Sequence, residues 1–108
     1  MYKMEDKIID RLKQVYDPEI PVNVYDLGLI YNIALKENEA SGIMFYQAEI
    51  TMTLTAPGCP VAEQIKNNIE QVISEIEEIK ETKIMLVFEP RWDKSMMSEE
   101  AKLELGFV

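Results

Sequence analysis

The stretch Thr53-Leu54-Thr55-Ala56-Pro57-Gly58-Cys59-Pro60 decides the fold, because it joins an alternating strand pattern to a long apolar helix pattern. Pro57-Gly58 is typical of a tight turn, since Gly accepts positive φ and Pro fixes φ. Pro60 suits the first helical position, where no N–H is needed. The pattern predicts a helix over about 60–78 with Cys59 at its N-cap. The turn around this thiol consists of Thr55, Pro57, Gly58 and Pro60.

Cys59 is the only cysteine of the chain. At a helix N-terminus its sulfur would face unpaired backbone N–H groups and the positive end of the helix dipole, which favour the thiolate. Nearby carboxylates would oppose that effect, so we expect at most a modest shift of the thiol's pKa. A free cysteine is also commonly a small, buried and inert hydrophobe. Local chemistry leaves both interpretations open.

Length and charge limit the function classes. With 108 residues, the chain is expected to form one domain over 1–108. A formal charge of −9 and the lack of a basic stripe argue against nucleic-acid binding. No stretch is long and apolar enough to cross a membrane, and the N-terminus lacks a signal core. We therefore expect a cytoplasmic protein, and one cysteine agrees with a reducing compartment.

The residue types that are missing exclude much chemistry. The chain has no histidine, so a Cys-His dyad, a Ser-His-Asp triad and a His-ligated metal are excluded within one chain. A structural zinc site typically needs four Cys or His ligands, which one cysteine cannot supply. No glycine-rich nucleotide-binding motif is present.

Hydrophobic periodicity predicts the element order α-β-β-α-β-α. The third strand should run parallel to the second, as in a right-handed crossover, and we place it beside the first strand. The result is an α+β two-layer sandwich, a three-stranded sheet with helices on one face. Besides the helix after Cys59, the predicted elements are a helix over about 3–16, strands near 29–35, 46–54 and 83–89, and a last helix between the N-cap Ser98 and the C′ residue Gly106. A hairpin turn at 36–42 joins the first two strands.

Two further regions are candidate functional residues. A proline-containing loop before the first strand carries the carboxylates Asp17, Glu19 and Asp26 and ends at Gly28. Asp17 and Asp26 can alternatively be residues that cap turns. Near the C-terminus, an apolar cluster is either a partner surface or, as is more common, a flap over the core. Its members are Trp92, Met96 and Met97.

Together these motifs resemble the SufT/PaaD family of iron–sulfur cluster assembly proteins. The resemblance is carried by Asp17-Pro18-Glu19-Ile20-Pro21 with Asp26-Leu27-Gly28-Leu29-Ile30, by Thr53-x-Thr55-x-Pro57-x-Cys59-Pro60, and by Trp92 with Met97-Ser98-Glu99-Glu100-Ala101 and Leu105-Gly106. Arg91 stands where the family often has proline. No cysteine-rich tail of the kind found in some PaaD-branch members is present, which favours the SufT branch.

The resemblance implies a small cytosolic, non-enzymatic factor that helps assemble or deliver iron–sulfur clusters. Cys59 matches the functional cysteine of the family, and Asp17, Glu19 and Asp26 match its acidic loop. Cys59 would be a transient ligand of iron or of a cluster, with no stably bound cofactor. Because clusters are usually held by four thiolates, the other ligands must come from a second copy or a partner. The implied partners are other assembly proteins and client apoproteins.

Two alternatives stay open. The first is an adaptor, in which Cys59 is structural and the Trp92 region binds a partner, as in maturation of a PaaD-type ring-oxygenase complex. The second is a thiol-dependent redox enzyme. It is disfavoured because the chain has no second cysteine to resolve a sulfenic acid.

Overall fold

The computed structural model describes residues 3–17, 20–54 and 62–106. The α+β class and the order α-β-β-α-β-α are confirmed. Among the described residues, no helix combines the length and apolar character needed to cross a bilayer. The elements are α1 (Met4–Leu12), β1 (Ile30–Ala40), β2 (Ile43–Met52), α2 (Ala62–Ser74), β3 (Ile79–Leu86), a 3-10 turn (Lys94–Met96) and α3 (Glu99–Glu104).

The sheet has the order β1-β2-β3, with β1 antiparallel and β3 parallel to β2. The predicted direction of β3 is confirmed, but its placement beside β1 is wrong, because β2 is the central strand. The sequence of this strand is apolar on both faces, which predicts a strand that is either central in the sheet or covered by another element. The strand instead lies at an edge, where Met85, Leu86 and the following Phe88 remain exposed. A single helix such as α2 readily connects adjacent parallel strands.

The β1–β2 hairpin is longer than predicted. Its turn is confined to Ser41 and Gly42, which both have positive φ (54° and 80°), as a type I′ turn requires. Residues 36–40 therefore belong to β1, although their polar sequence suggested a loop. Residues 38–40 pair with β2 before β3 joins the sheet at Tyr46, so this end of the hairpin is a two-stranded ribbon that tolerates polar side chains on both faces.

Two helices end earlier than predicted: α1 at Leu12 rather than near residue 16, and α2 at Ser74 rather than near residue 78. α1 ends at Leu12 because the chain then turns: the N–H of Val24 donates to the carbonyl of Val15 over 2.8 Å, and Tyr16 bridges to Asn23. At the C-terminus, the Ser98 side chain accepts from the N–H of Ala101. Ser98 is therefore the N-cap of α3, as predicted.

The core lies between the helices and one face of the sheet. The stripe of α2 contributes Ile65, Ile69 and Ile73, all fully buried, as its periodicity predicted. Full burial of each large aliphatic side chain stabilises the fold by about 1.5–3 kcal/mol. These residues belong to one cluster with Ile8 and Leu12 of α1 and Ala48, Ile50 and Met52 of β2. The helices therefore cover the face of the sheet that carries these β2 side chains.

Candidate functional site

The loop before β1 is held in place by buried apolar side chains and its own hydrogen bonds. Val22, Val24 and Leu27 are buried in the core. The N–H of Leu27 donates to the carbonyl of Asn23 over 3.0 Å, and that of Leu29 donates to Val24 over 3.2 Å. The loop therefore has a defined conformation that presents Asp26 beside Gly28.

Asn23 and Asp26 form a reciprocal pair. Asn23 Oδ1 accepts from the Asp26 N–H over 2.8 Å, and Asn23 Nδ2 donates to Asp26 Oδ2 over 2.8 Å. The turn-capping interpretation assigned the capping side chain to Asp26, whereas here Asn23 caps the turn and orients the carboxylate. Sequence reasoning missed Asn23. Its only sequence signal is an Asn three residues before the motif Asp.

The two described carboxylates of the acidic loop differ in exposure. Asp17 is only 6% exposed, and its carbonyl accepts from the N–H of Ile20 over 3.3 Å. Asp26 is half-buried and lines a cavity of about 240 Å³ between the loop and α3, together with Glu100 and Glu104. Glu19 lies outside the described residues, so its predicted role stays a prediction.

Residues 90–98, which we call the C-terminal strap, lie directly against this loop. The indole Nε1 of Trp92 donates to the carbonyl of Leu27 over 2.7 Å. The N–H of Ser98 donates to the carbonyl of Asp26 over 2.8 Å. The hydroxyl of Tyr31 donates to the carbonyl of Pro90 over 2.7 Å. The first and third sequence motifs thus form one structural unit.

The three candidates for a partner surface have different surroundings. Met97 is buried in the core, so it offers little area to a partner. Trp92 and Met96 are half-buried, and the Tyr31 hydroxyl lies 3.6 Å from the Met96 sulfur. The partner-surface interpretation therefore depends on Trp92 and Met96, and it stays a prediction.

Within the strap, Asp93 caps the 3-10 turn. Its carboxylate accepts from the hydroxyl and the N–H of Ser95. The Ser95 hydroxyl is the main cause that lowers the pKa of Asp93 below its ordinary value, followed by the Ser95 N–H. The turn is therefore built around an ionised carboxylate at neutral pH.

The loop also contacts the strand that leads to Cys59. The N–H of Thr53, directly after β2, donates to the carbonyl of Leu29 over 2.8 Å, and Thr53 is 1% exposed. The N–H of Val87 donates to the carbonyl of Met52 over 2.8 Å. The end of the loop, the end of β2 and the end of β3 therefore meet at one end of the sheet.

The predicted thiol site itself lies outside the described residues. Residues 55–61 include Thr55, Pro57, Gly58, Cys59 and Pro60, so the N-cap position of Cys59 and its distance from Asp26 stay predictions. Across residues 3–17, 20–54 and 62–106, no three Cys, Asp or Glu side chains group closely enough to hold a metal ion.

Comparison with known proteins identifies the family. A model for a family described as "Iron-sulfur cluster assembly protein" matches residues 5–86, and the chain belongs to this family. The SufT/PaaD-like resemblance is thereby confirmed.

Named relatives cover nearly the whole chain. An Fe-S protein maturation auxiliary factor of Porphyromonas gingivalis is 52% identical over 104 residues, which are 96% of this chain and 92% of that protein. The Fe-S protein maturation auxiliary factor SufT of Staphylococcus aureus is 38% identical, covering 85% of this chain and 97% of the relative. The crystal structure of a domain of unknown function (DUF59) from Bacillus anthracis superimposes with a TM-score of 0.84 at 38% identity, covering 96% and 92% of the two chains.

Proposed function

We propose that this chain is a non-enzymatic auxiliary factor in the maturation of iron–sulfur proteins, acting in the cytoplasm with assembly proteins and client apoproteins. One observation carries the proposal: a relative that is 52% identical over 96% of this chain is named an Fe-S protein maturation auxiliary factor. The matched region covers 96% of this chain, so the proposal applies to the loop, the Cys59 stretch and the strap.

Cys59 is the residue to which we assign the contact with iron or a transiting cluster. Thiolates are the usual protein ligands of these clusters, and this chain has one. Cys59 precedes α2 by three residues in the sequence, and α2 is fixed to the sheet by Ile65, Ile69 and Ile73. A helix anchored in the core is a suitable support for a ligand that precedes it in the sequence. The missing ligands are supplied by a second copy of the chain or by a partner. Because one chain cannot hold the cluster alone, the cluster is bound transiently, as cargo.

The acidic loop supports this assignment through its position. Leu29 of the loop accepts a hydrogen bond from Thr53, where the chain leaves β2 towards Cys59. Asp26 is half-buried and hydrogen-bonded to Asn23, so its carboxylate has a fixed direction. A carboxylate with a fixed direction near the thiol would change the electrostatic potential at the position of the iron.

Deletion of the chromosomal gene tests the proposal. We expect several cluster-containing enzymes to lose activity under iron limitation, while an enzyme without a cluster keeps its activity. Expression of the intact chain should restore the lost activities. Unchanged activities of all cluster enzymes in the deletion strain would refute the proposal. A loss confined to one multi-subunit oxygenase would instead support the narrower adaptor role.

A further inference from the structure

We propose that the C-terminal strap positions the loop backbone at residues 26–28, and that Trp92 is a positioning residue. The strap lies beyond residues 5–86, where the family model matches, yet it makes direct contacts with the loop motif inside that range. Only the predicted effect of the strap on cluster maturation rests on the proposed function. The structural coupling itself is tested separately.

The strap contacts the loop through main-chain atoms. Trp92 and Ser98 donate to the carbonyls of Leu27 and Asp26, which follow one another in the chain. Two consecutive carbonyls that both accept from the strap restrict the orientation of their peptide planes, and with them the position of Asp26. Each such hydrogen bond shifts a local opening equilibrium by about two- to tenfold.

Gly28 shows how closely the strap and loop approach each other. Its φ is +82°, and a Cβ built on it would lie 2.3 Å from the carbonyl oxygen of Met96 and 2.7 Å from the carbonyl carbon. Both atoms belong to the main chain, so no flexible side chain is available to move aside. Only glycine allows the strap to lie this close.

A continuous series of contacts leads from the strap towards Cys59. Trp92 binds the carbonyl of Leu27, and the carbonyl of Leu29, two residues further on, accepts from Thr53. Thr53 begins the segment that runs to Cys59. Release of the strap would therefore loosen the support of that segment, while most of the core, to which the strap contributes Met97, is built from other elements.

Trp92 is the only tryptophan, so its fluorescence reports on the strap alone. We expect Gly28→Ala to red-shift the emission and increase quenching by acrylamide in protein that circular dichroism shows to be folded. Gly42→Ala is the matched control, because Gly42 has a similar φ of +80° and nothing within 4 Å of the added Cβ. Equal spectra for the two variants would overturn the proposal.

Tyr31→Phe provides a milder test, should Gly28→Ala fail to fold. It removes the donor to the Pro90 carbonyl and keeps the ring. We expect hydrogen exchange at the Ser98 amide to rise about two- to tenfold, with exchange in the core unchanged. The alkylation rate of Cys59 by iodoacetamide should also rise. A strap that only stabilises the fold would raise the exchange of Ser98 alone and leave the alkylation rate of Cys59 unchanged in the folded protein, and that result would contradict the proposal.

Rescue of the deletion strain, at equal protein levels, links the strap to function. Intact protein and Gly42→Ala should rescue, whereas Gly28→Ala should not. If the intact protein fails to rescue, the proposed function is wrong, and fluorescence still decides the structural coupling. If Gly28→Ala rescues fully although its Trp92 is displaced, the positioning role is wrong.

Discussion

The main chain of Gly28 lies against the main chain of Met96, so closely that a Cβ on Gly28 would be 2.3 Å from the Met96 carbonyl oxygen. This contact joins two motifs that are far apart in the sequence. It also explains why a glycine ends the acidic loop: the position requires both a positive φ and the absence of a side chain.

We expect Gly28→Ala to lower the free energy of unfolding more than Gly42→Ala. Both changes place an alanine at positive φ, which costs about 1–2 kcal/mol. Gly28→Ala adds an overpacking cost of about 1–3 kcal/mol, because the clashing atoms are main chain. Urea denaturation of both variants measures the difference. Equal losses would show that the strap moves aside without cost.

Ile69→Ala should destabilise the protein by about 2–5 kcal/mol, since it leaves a cavity at a fully buried position of α2. Leu103→Ala is the matched control. Leu103 is 66% exposed, so its truncation should change stability by less than about 0.5 kcal/mol. Thermal or urea unfolding of the two variants tests this. A large loss of stability for Leu103→Ala would mean that the Leu103 side chain is buried against another surface in solution.

Asn23→Ala and Asp26→Ala should be coupled rather than additive. The two side chains share a 2.8 Å hydrogen bond, and Asn23 also accepts from the Asp26 N–H. We expect a coupling energy of about 1 kcal/mol in a double-mutant cycle. Additive losses would show that the pair does not form in solution.

The ion pair between Lys7 of α1 and Glu78 before β3 predicts a pH dependence. The hydrogen bond from Lys7, 2.9 Å long, is the main cause that lowers the pKa of Glu78 from 4.5. Because the folded-state pKa is the lower one, the stabilisation is complete above pH 4.5 and is lost as pH falls through the lowered pKa.

The difference in unfolding free energy between the parent protein and Glu78→Gln should therefore be constant above pH 4.5 and shrink below it. Glu77→Gln, a change at the exposed neighbouring residue, serves as the control. The same acid dependence for both variants would exclude Lys7 as the cause.

Much of the fold could be predicted from local patterns. The stripe of α2 and the cap at Ser98 follow from a few neighbouring residues, and the parallel direction of β3 follows from the order strand, helix, strand; all three are confirmed. The position of β3 could not be predicted in this way. Its apolar residues favour a strand that is central or covered, and only packing of the whole chain leaves Met85 and Leu86 exposed at an edge.

The candidate site was only partly accessible to sequence reasoning. The motif residues Asp26 and Gly28 stand out because carboxylates and glycines have distinctive chemistry. Their contacts with Asn23 and Trp92 could not be inferred, since Trp92 is distant in the sequence and acts on a main-chain carbonyl, which any residue at position 27 would provide. Cys59 lies outside the described residues, so its environment stays a prediction.

The role of Cys59 as a cluster ligand is tested most directly by Cys59→Ser. The measurements are thermal unfolding of the purified variant and rescue of cluster-enzyme activity in the deletion strain. The fold should persist, because Ile65, Ile69 and Ile73 hold α2 and serine is itself a favoured N-cap. The hydroxyl does not ionise near neutral pH and is a poor iron ligand in a cluster. We predict an unchanged melting temperature and no rescue. A stable variant that rescues fully would contradict the role of Cys59 as a thiolate ligand.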